Sequence, residues 1–230
     1  ETVNHDYANT SLGYRNSGAL SAGRLMLWDV QENDLITLAA DVPVATLSPT
    51  PPVRLEATSI RGASFTASAD IPETTSARIS SEVRNNLSFS ISDAVRINAA
   101  ETYSAISRSY TTLISSGVNA FTAWRIADVT GMPDRYKFVL VTDEIRASDE
   151  TVSLDSTFAS GVEFAIEDTA SGTVQVSIPS TTTAKCSGEE VICYVNVSVL
   201  TVFINDTGNL DYSPSGFDAI KLVNALRSLS

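Results

Sequence analysis

Among the residues able to do chemistry, four pairs of adjacent carboxylates come first: Asp143-Glu144, Asp149-Glu150, Glu167-Asp168 and Glu189-Glu190. Two carboxylates held about 5–10 Å apart can cleave a glycosidic bond, one as acid and the other as base or nucleophile. Every pair here falls at a strand end or loop tip, where a solvated turn is the simpler account. Sugar-processing clefts also carry exposed Trp, whereas Trp28 and Trp124 both lie inside apolar patterns. A Ser-His-Asp triad would have to be built on His5, the single histidine, in a polar N-terminal stretch. Zinc sites need several Cys or His. Neither G-x-x-x-x-G-K-[ST] nor G-x-G-x-x-G occurs, so nothing marks a phosphate cradle. The sequence assigns no catalytic residue, no metal ligand and no cofactor.

The two cysteines, Cys186 and Cys193, flank Ser-Gly-Glu-Glu-Val-Ile. Gly188 permits a tight turn that brings them together, and a structural disulfide is the favoured reading over two buried thiols. The C-x-x-C spacing and partner His of redox or zinc pairs are missing. A bridge closing so short a loop stabilises by at most about 2–3 kcal/mol on the chain-entropy model. It also implies an oxidising compartment: periplasm, cell surface or outside.

Two further patterns invite a ligand and fit one poorly. Asn205–Asp211 precedes a helical pattern, as a calcium loop does. With Asp218 at the twelfth position, however, Thr207 is first and Tyr212 stands where glycine belongs. Tyr103 and Tyr110 share one stripe of a helical pattern, where aromatics serve as core more often than as a ligand platform. Asn9, Asn86, Asn196 and Asn205 head Asn-x-Ser/Thr sequons, about as many as chance provides in a chain this rich in Ser and Thr.

Bulk composition bounds the function class. The 230 residues include 15 Lys plus Arg against 27 Asp plus Glu, a net charge of −12. Phosphate contacts need clustered cations, and docking on anionic lipid needs the same; no such run exists. Charged residues are only 18% of the chain, and Ser plus Thr fill the gap at roughly a quarter. A hydroxyl-rich, lysine-poor surface suits exported proteins and β structure. The longest apolar run, Val191–Asn205, is too short and polar to span a membrane, which takes about 20 apolar residues. The chain starts at Glu1 without an initiator Met or apolar leader. A removed signal peptide, a lipidated Cys ahead of Glu1 and simple trimming are all compatible with that start.

The elements that would position these residues follow from periodicity. Residues 1–18 are Asn- and Gly-rich and read as a polar arm leading into one α+β domain over 19–230, with a sub-domain boundary conceivable near 131. Ala19–Asn33 reads as a short helix, weakened by Gly23. Leu35–Ala40 and Val42–Leu47 read as strands, and Ser48–Pro52 as a stiff loop. Val53–Ser59 and Ser64–Ile71 alternate and read as a hairpin through Arg61-Gly62. A second hairpin turns at Asn85-Asn86, with a helix from Ser80 as the alternative. Ser92–Ser116 reads as one helix with the stripe Val95, Ala99, Tyr103, Ile106, Tyr110 and Leu113. Val118–Val129 reads as a second, shorter helix.

Beyond Asp134 strands dominate. Arg135–Arg146, which holds a near-continuous apolar run, and Thr151–Phe158 read as strands, and Gly161–Glu167 pairs with Thr173–Ile178 across Asp168–Gly172 as a hairpin. Val191–Asn205 is the central strand, and Pro214–Leu229 a last helix capped by Ser215 with Asp218. The expected class is α+β, a mainly antiparallel sheet with helices packed on one face, the C-terminal one included. The expected function is non-enzymatic: an exported cell-envelope or surface protein with a structural or binding role. Its partners would be other proteins of an envelope or surface assembly, and it would bind no nucleic acid. A glycan-binding module and a carboxylate-dependent hydrolase are the alternatives.

Overall fold

In the computed structural model the described residues are 2–4, 6–18, 20–38, 42, 44–66, 77, 81, 85–117, 119–154, 164–168, 172–176, 180–186 and 191–229. The first half of the chain gives β1 (Thr2–Asn4), β2 (Asn9–Thr10), β3 (Gly13–Arg15), β4 (Leu25–Asp29) and β5 (Asp34–Thr37). Then come β6 (Ala45–Thr46), β7 (Val53–Ala57), β8 (Ser64–Thr66) and the long β9 (Leu87–Ala100). Three helices follow: α1 (Thr102–Ser115), α2 (Ala120–Ala123) and α3 (Ile126–Gly131). The second half adds β10 (Tyr136–Arg146), β11 (Asp149–Leu154), β12 (Phe164–Asp168), β13 (Gly172–Val176) and β14 (Ser180–Lys185). It closes with β15 (Ile192–Ile204), β16 (Leu210–Pro214) and α4 (Ala219–Arg227).

The α+β class, the antiparallel character and the C-terminal helix are as the sequence implies. Twelve strands form one sheet whose main path runs β14-β11-β9-β10-β15-β3-β2, while β13-β12-β1-β8 form a second. Every pairing is antiparallel except that of β1 with β12. β15 and β10 lie side by side from Phe138↔Leu200 to Arg146↔Ile192, so the central strand is where its apolar run places it. The hairpin around Asp168–Gly172 also forms, with Asp168 opposite Gly172.

The helices do not share a face. On β10, Phe138 and Leu140 pack with Ala105 and Ile106 of α1 and with Ile126 and Val129 of α3. Their neighbours Val139 and Val141 pack with Leu222, Val223 and Leu226 of α4 on the other side. A strand covered on both faces needs no polar alternation, which is why β10 reads as a continuous apolar run. The same logic corrects the helix expected over Ala19–Asn33. Leu25 and Leu27 point into the α1–α3 layer and Met26 and Trp28 into the α4 layer, so four consecutive apolar residues make β4. Two buried donors in the α1–α3 layer, Ser109 Oγ and Trp124 Nε1, meet no acceptor among the described residues.

Other expectations change for stated reasons. The single helix over Ser92–Ser116 splits: its first part is β9, which pairs with β10 from Asn98↔Asp143 to Val95↔Arg146. Glu101, at φ 54°, turns the chain into α1. Pairing and β-branched Val95 and Ile97 outweigh a periodicity that a helix would also satisfy. The second helix is two short ones, broken at Arg125, φ 50°. β7 pairs with β9, and β8 with β1, so the expected hairpin through Arg61-Gly62 does not form. The intervening loop is held instead by the N-terminal segment, through Asn9 and Arg61 bonded both ways and Ser11 N–H donating to Thr58 O.

Around Asn85-Asn86 the helical alternative holds, since Ala77, Ser81, Asn85 and Asn86 are helical. The last helix starts later than expected. Pro214 ends β16, and Asp218 is itself the N-cap, accepting from Ile220 N–H at 2.9 Å and Lys221 N–H at 3.2 Å. Residues 67–76, 155–158, 161–163 and 177–179 lie outside the described residues, as do His5, Gly188, Glu189 and Glu190.

The largest correction concerns residues 2–18. Tyr7, Ala8, Tyr14, Arg15, Asn16 and Ser17 are buried. β3 lies against β15 at Arg15↔Tyr194 and Tyr14↔Val195, and β2 extends the sheet from β3. The segment read as a polar arm is a built-in part of the sheet. At Gly13, φ 112°, an added Cβ would fall 2.5 Å from Val195 O, so the close approach of the segment to β15 requires glycine.

Candidate functional site

Among the described side chains, three of the paired carboxylates are bonded within the fold. Glu150, at the start of β11, is 1% exposed and forms an ion pair with Arg15, also 1% exposed. Arg15 Nε donates to Glu150 Oε1, and Tyr194 OH donates to Oε2 at 2.6 Å. Arg15 Nη1 donates to Ser17 Oγ at 3.2 Å, and the guanidinium lies 5.8 Å from the centre of the Phe89 ring. Three strands far apart in sequence, β3, β11 and β15, therefore meet in one charged knot beside Cys193. Desolvating two charges is expensive and is offset only when the geometry is good and the remaining donors and acceptors are satisfied.

Glu144 is the second buried carboxylate, 2% exposed. Its Oε1 accepts from Arg146 Nε at 2.6 Å and its Oε2 from Ala22 N–H at 3.0 Å. Asp143 accepts from Ala99 N–H at 3.1 Å and from Thr142 Oγ1 at 3.1 Å. A carboxylate whose oxygens already hold donors from the fold is an anchor. The chemistry of an acid or base needs an oxygen turned to a substrate. Glu167 and Asp168 sit on β12, and their side chains are outside the described residues, as are Glu189 and Glu190.

The other sequence candidates separate in the same way. Cys186 and Cys193 form a disulfide, with Cα atoms 4.6 Å apart. Asn205 Oδ1 accepts from Thr207 N–H, Thr207 Oγ1 and Asn209 N–H at 2.7–3.1 Å, so the loop tested for calcium is a self-bonded Asx turn. Among the described residues no three His, Cys, Asp or Glu are grouped to hold a metal ion. Trp28 and Trp124 are fully buried. Tyr103, expected inside, is instead 40% exposed and stacks on Tyr212 with ring centres 5.3 Å apart. Tyr110 packs against Trp124.

What sequence reasoning missed is a groove of about 620 Å³. Its walls are the loop 58–61 and residues 85–88, from the helical turn at Asn85-Asn86 into β9. Its polar lining residues are Thr58, Ser59, Arg61, Asn85, Asn86 and Ser88, and the Thr58 hydroxyl already donates to Ser11 Oγ at 3.2 Å. Ile60 and Leu87, both nearly buried, give it an apolar base. The one signal in the sequence was the polar link between two alternating segments, which says nothing about what faces it across space. No family model matches the chain, and no curated protein is similar to it. No helix among the described residues is long and apolar enough to cross a membrane.

Electrostatics elsewhere follow burial and pairing. Arg135 grips Asp29 through Nε and Nη2, at 2.7–3.1 Å, and holds the Asp29 carboxyl below its usual range. Burial pushes the Tyr7 and Tyr14 hydroxyls up to about 12, helped by the charges of Asp6 and Asp218 respectively.

Two measurements check these assignments. Replacing Arg15 alone, as Arg15→Met, strands the Glu150 charge and is expected to cost about 3–5 kcal/mol in urea unfolding. Adding Glu150→Met should return a large part of that loss, and a double variant as unstable as the single one would contradict the ion-pair account. Tyr7 and Tyr14 ionise near pH 10 when unfolded and only near about 12 when folded. Their contribution to stability is thus complete below pH 10 and lost as pH rises from 10 to about 12. The double variant Tyr7→Phe/Tyr14→Phe should lose less stability than the parent over that window.

Proposed function

We propose that this chain is a non-enzymatic, exported protein of a cell envelope or surface, acting as a binding or structural subunit of a larger assembly. The observation that carries the reading is the Cys186–Cys193 disulfide, which pins the start of the central strand. Disulfides form and persist in oxidising compartments and are rare where thiols are kept reduced. Two features support the non-enzymatic half. The buried carboxylates Glu144 and Glu150 are committed to arginines of the fold. The chain is rich in Ser and Thr, whose hydroxyls suit recognition more than proton transfer. The balance of 27 acidic against 15 basic residues points away from nucleic acid and toward neutral or cationic protein partners.

The test is the thiol state of the protein in its own cells. Alkylation of denatured, unreduced protein, trapped at lysis, should label neither cysteine, and reduction should free both. Finding both thiols already reactive would overturn the export reading. Cys186→Ser/Cys193→Ser should lower stability by at most about 2–3 kcal/mol, because the closed loop is short.

A further inference from the structure

We propose that the groove between the loop 58–61 and residues 85–88 binds a carboxylated sugar. The proposal deepens the binding half of the preceding section and depends on it. The walls are held rigidly. Ser11 Oγ accepts from Thr58 N–H at 2.9 Å, and Arg61 exchanges two backbone hydrogen bonds with Asn9 at 2.8 and 2.9 Å. On the other side, Leu87 and Ser88 lie opposite Leu154 and Ser153 of β11. Backbone fastened in this way lowers the ordering cost of binding.

The lining dictates the ligand. Ser59 and Ser88 bring hydroxyls and Asn85 a carboxamide, donors and acceptors for a polyhydroxylated molecule. The apolar base of Ile60 and Leu87 suits the C–H face of a pyranose ring. Arg61 is exposed and is the one charged residue among the described residues that line the groove, in a protein of net charge −12. A guanidinium recognises a carboxylate through two parallel hydrogen bonds. A groove of about 620 Å³ lies within the range of small-ligand sites.

The test is a heteronuclear NMR titration of the intact chain with glucuronate, glucose and inorganic phosphate. Glucuronate should give saturable shifts confined to 58–61 and 85–88, with glucose and phosphate each at least about tenfold weaker. Arg61→Gln should lose about tenfold in glucuronate affinity while keeping the parent spectrum elsewhere, and Arg61→Lys should fall between, lacking the bidentate fork. Arg54→Gln, an exposed arginine of β7 outside the groove, should bind as the parent does. No saturable shifts with glucuronate, or glucose or phosphate binding as well as glucuronate, would overturn the proposal. Those outcomes would leave the thiol measurement, and with it the export reading, untouched.

Discussion

The buried ion pair between Arg15 and Glu150 is the contact on which the rest of the structure depends. It joins the N-terminal segment to β11, and Tyr194 ties the same carboxylate to β15. Without that neutralisation, neither charge could remain about 1% exposed at the junction of three strands. With Arg15 held there, β3 lies along the edge of β15 that β16 leaves open, and β2 continues the sheet beyond it. α4 strengthens the arrangement from the opposite end of the chain. Arg227 Nε donates to Asp6 O at 3.0 Å, and Nη2 reaches Asn4 O. Both ends of the chain are thus stitched into one core.

Three of the paired carboxylates are bonded within the fold: Glu150 to Arg15 and Tyr194, Glu144 to Arg146 and a backbone amide, Asp143 to Ala99 and Thr142. The N-terminal segment that brings in Arg15 also fastens the loop 58–61 through Asn9 and Ser11. The same segment therefore closes the core and shapes the wall of the groove.

Legibility in the sequence tracked the range of the interactions. β15, β10 and the hairpin at Asp168–Gly172 were readable because their apolar pattern or turn chemistry is local. The disulfide was readable from a spacing of seven. β4 was misread because an apolar run covered on both sides satisfies helical and strand periods alike, and the second half of β9 because its apolar spacing also fits a helix; pairing with β10 decides both. The N-terminal segment was misread for a different reason. Its Asn, Gly, Tyr and Arg look solvated in isolation, and the partner that buries Arg15 is 135 residues away. The groove was invisible because its two walls are brought together by the pairing of β7 with β9, Ala57 opposite Phe89, which no local pattern announces.

Hydrogen exchange at the backbone amides of Arg15 and Asn16 tests the central claim most directly. These N–H groups donate to Ala8 O at 3.0 Å and to Cys193 O at 2.8 Å. If the N-terminal segment is integral to the core, both should exchange only through global unfolding, with protection within about tenfold of that at Val195 in β15. Exchange at rates near those of an unfolded chain, while Val195 stays protected, would show that the segment opens on its own and would contradict the account.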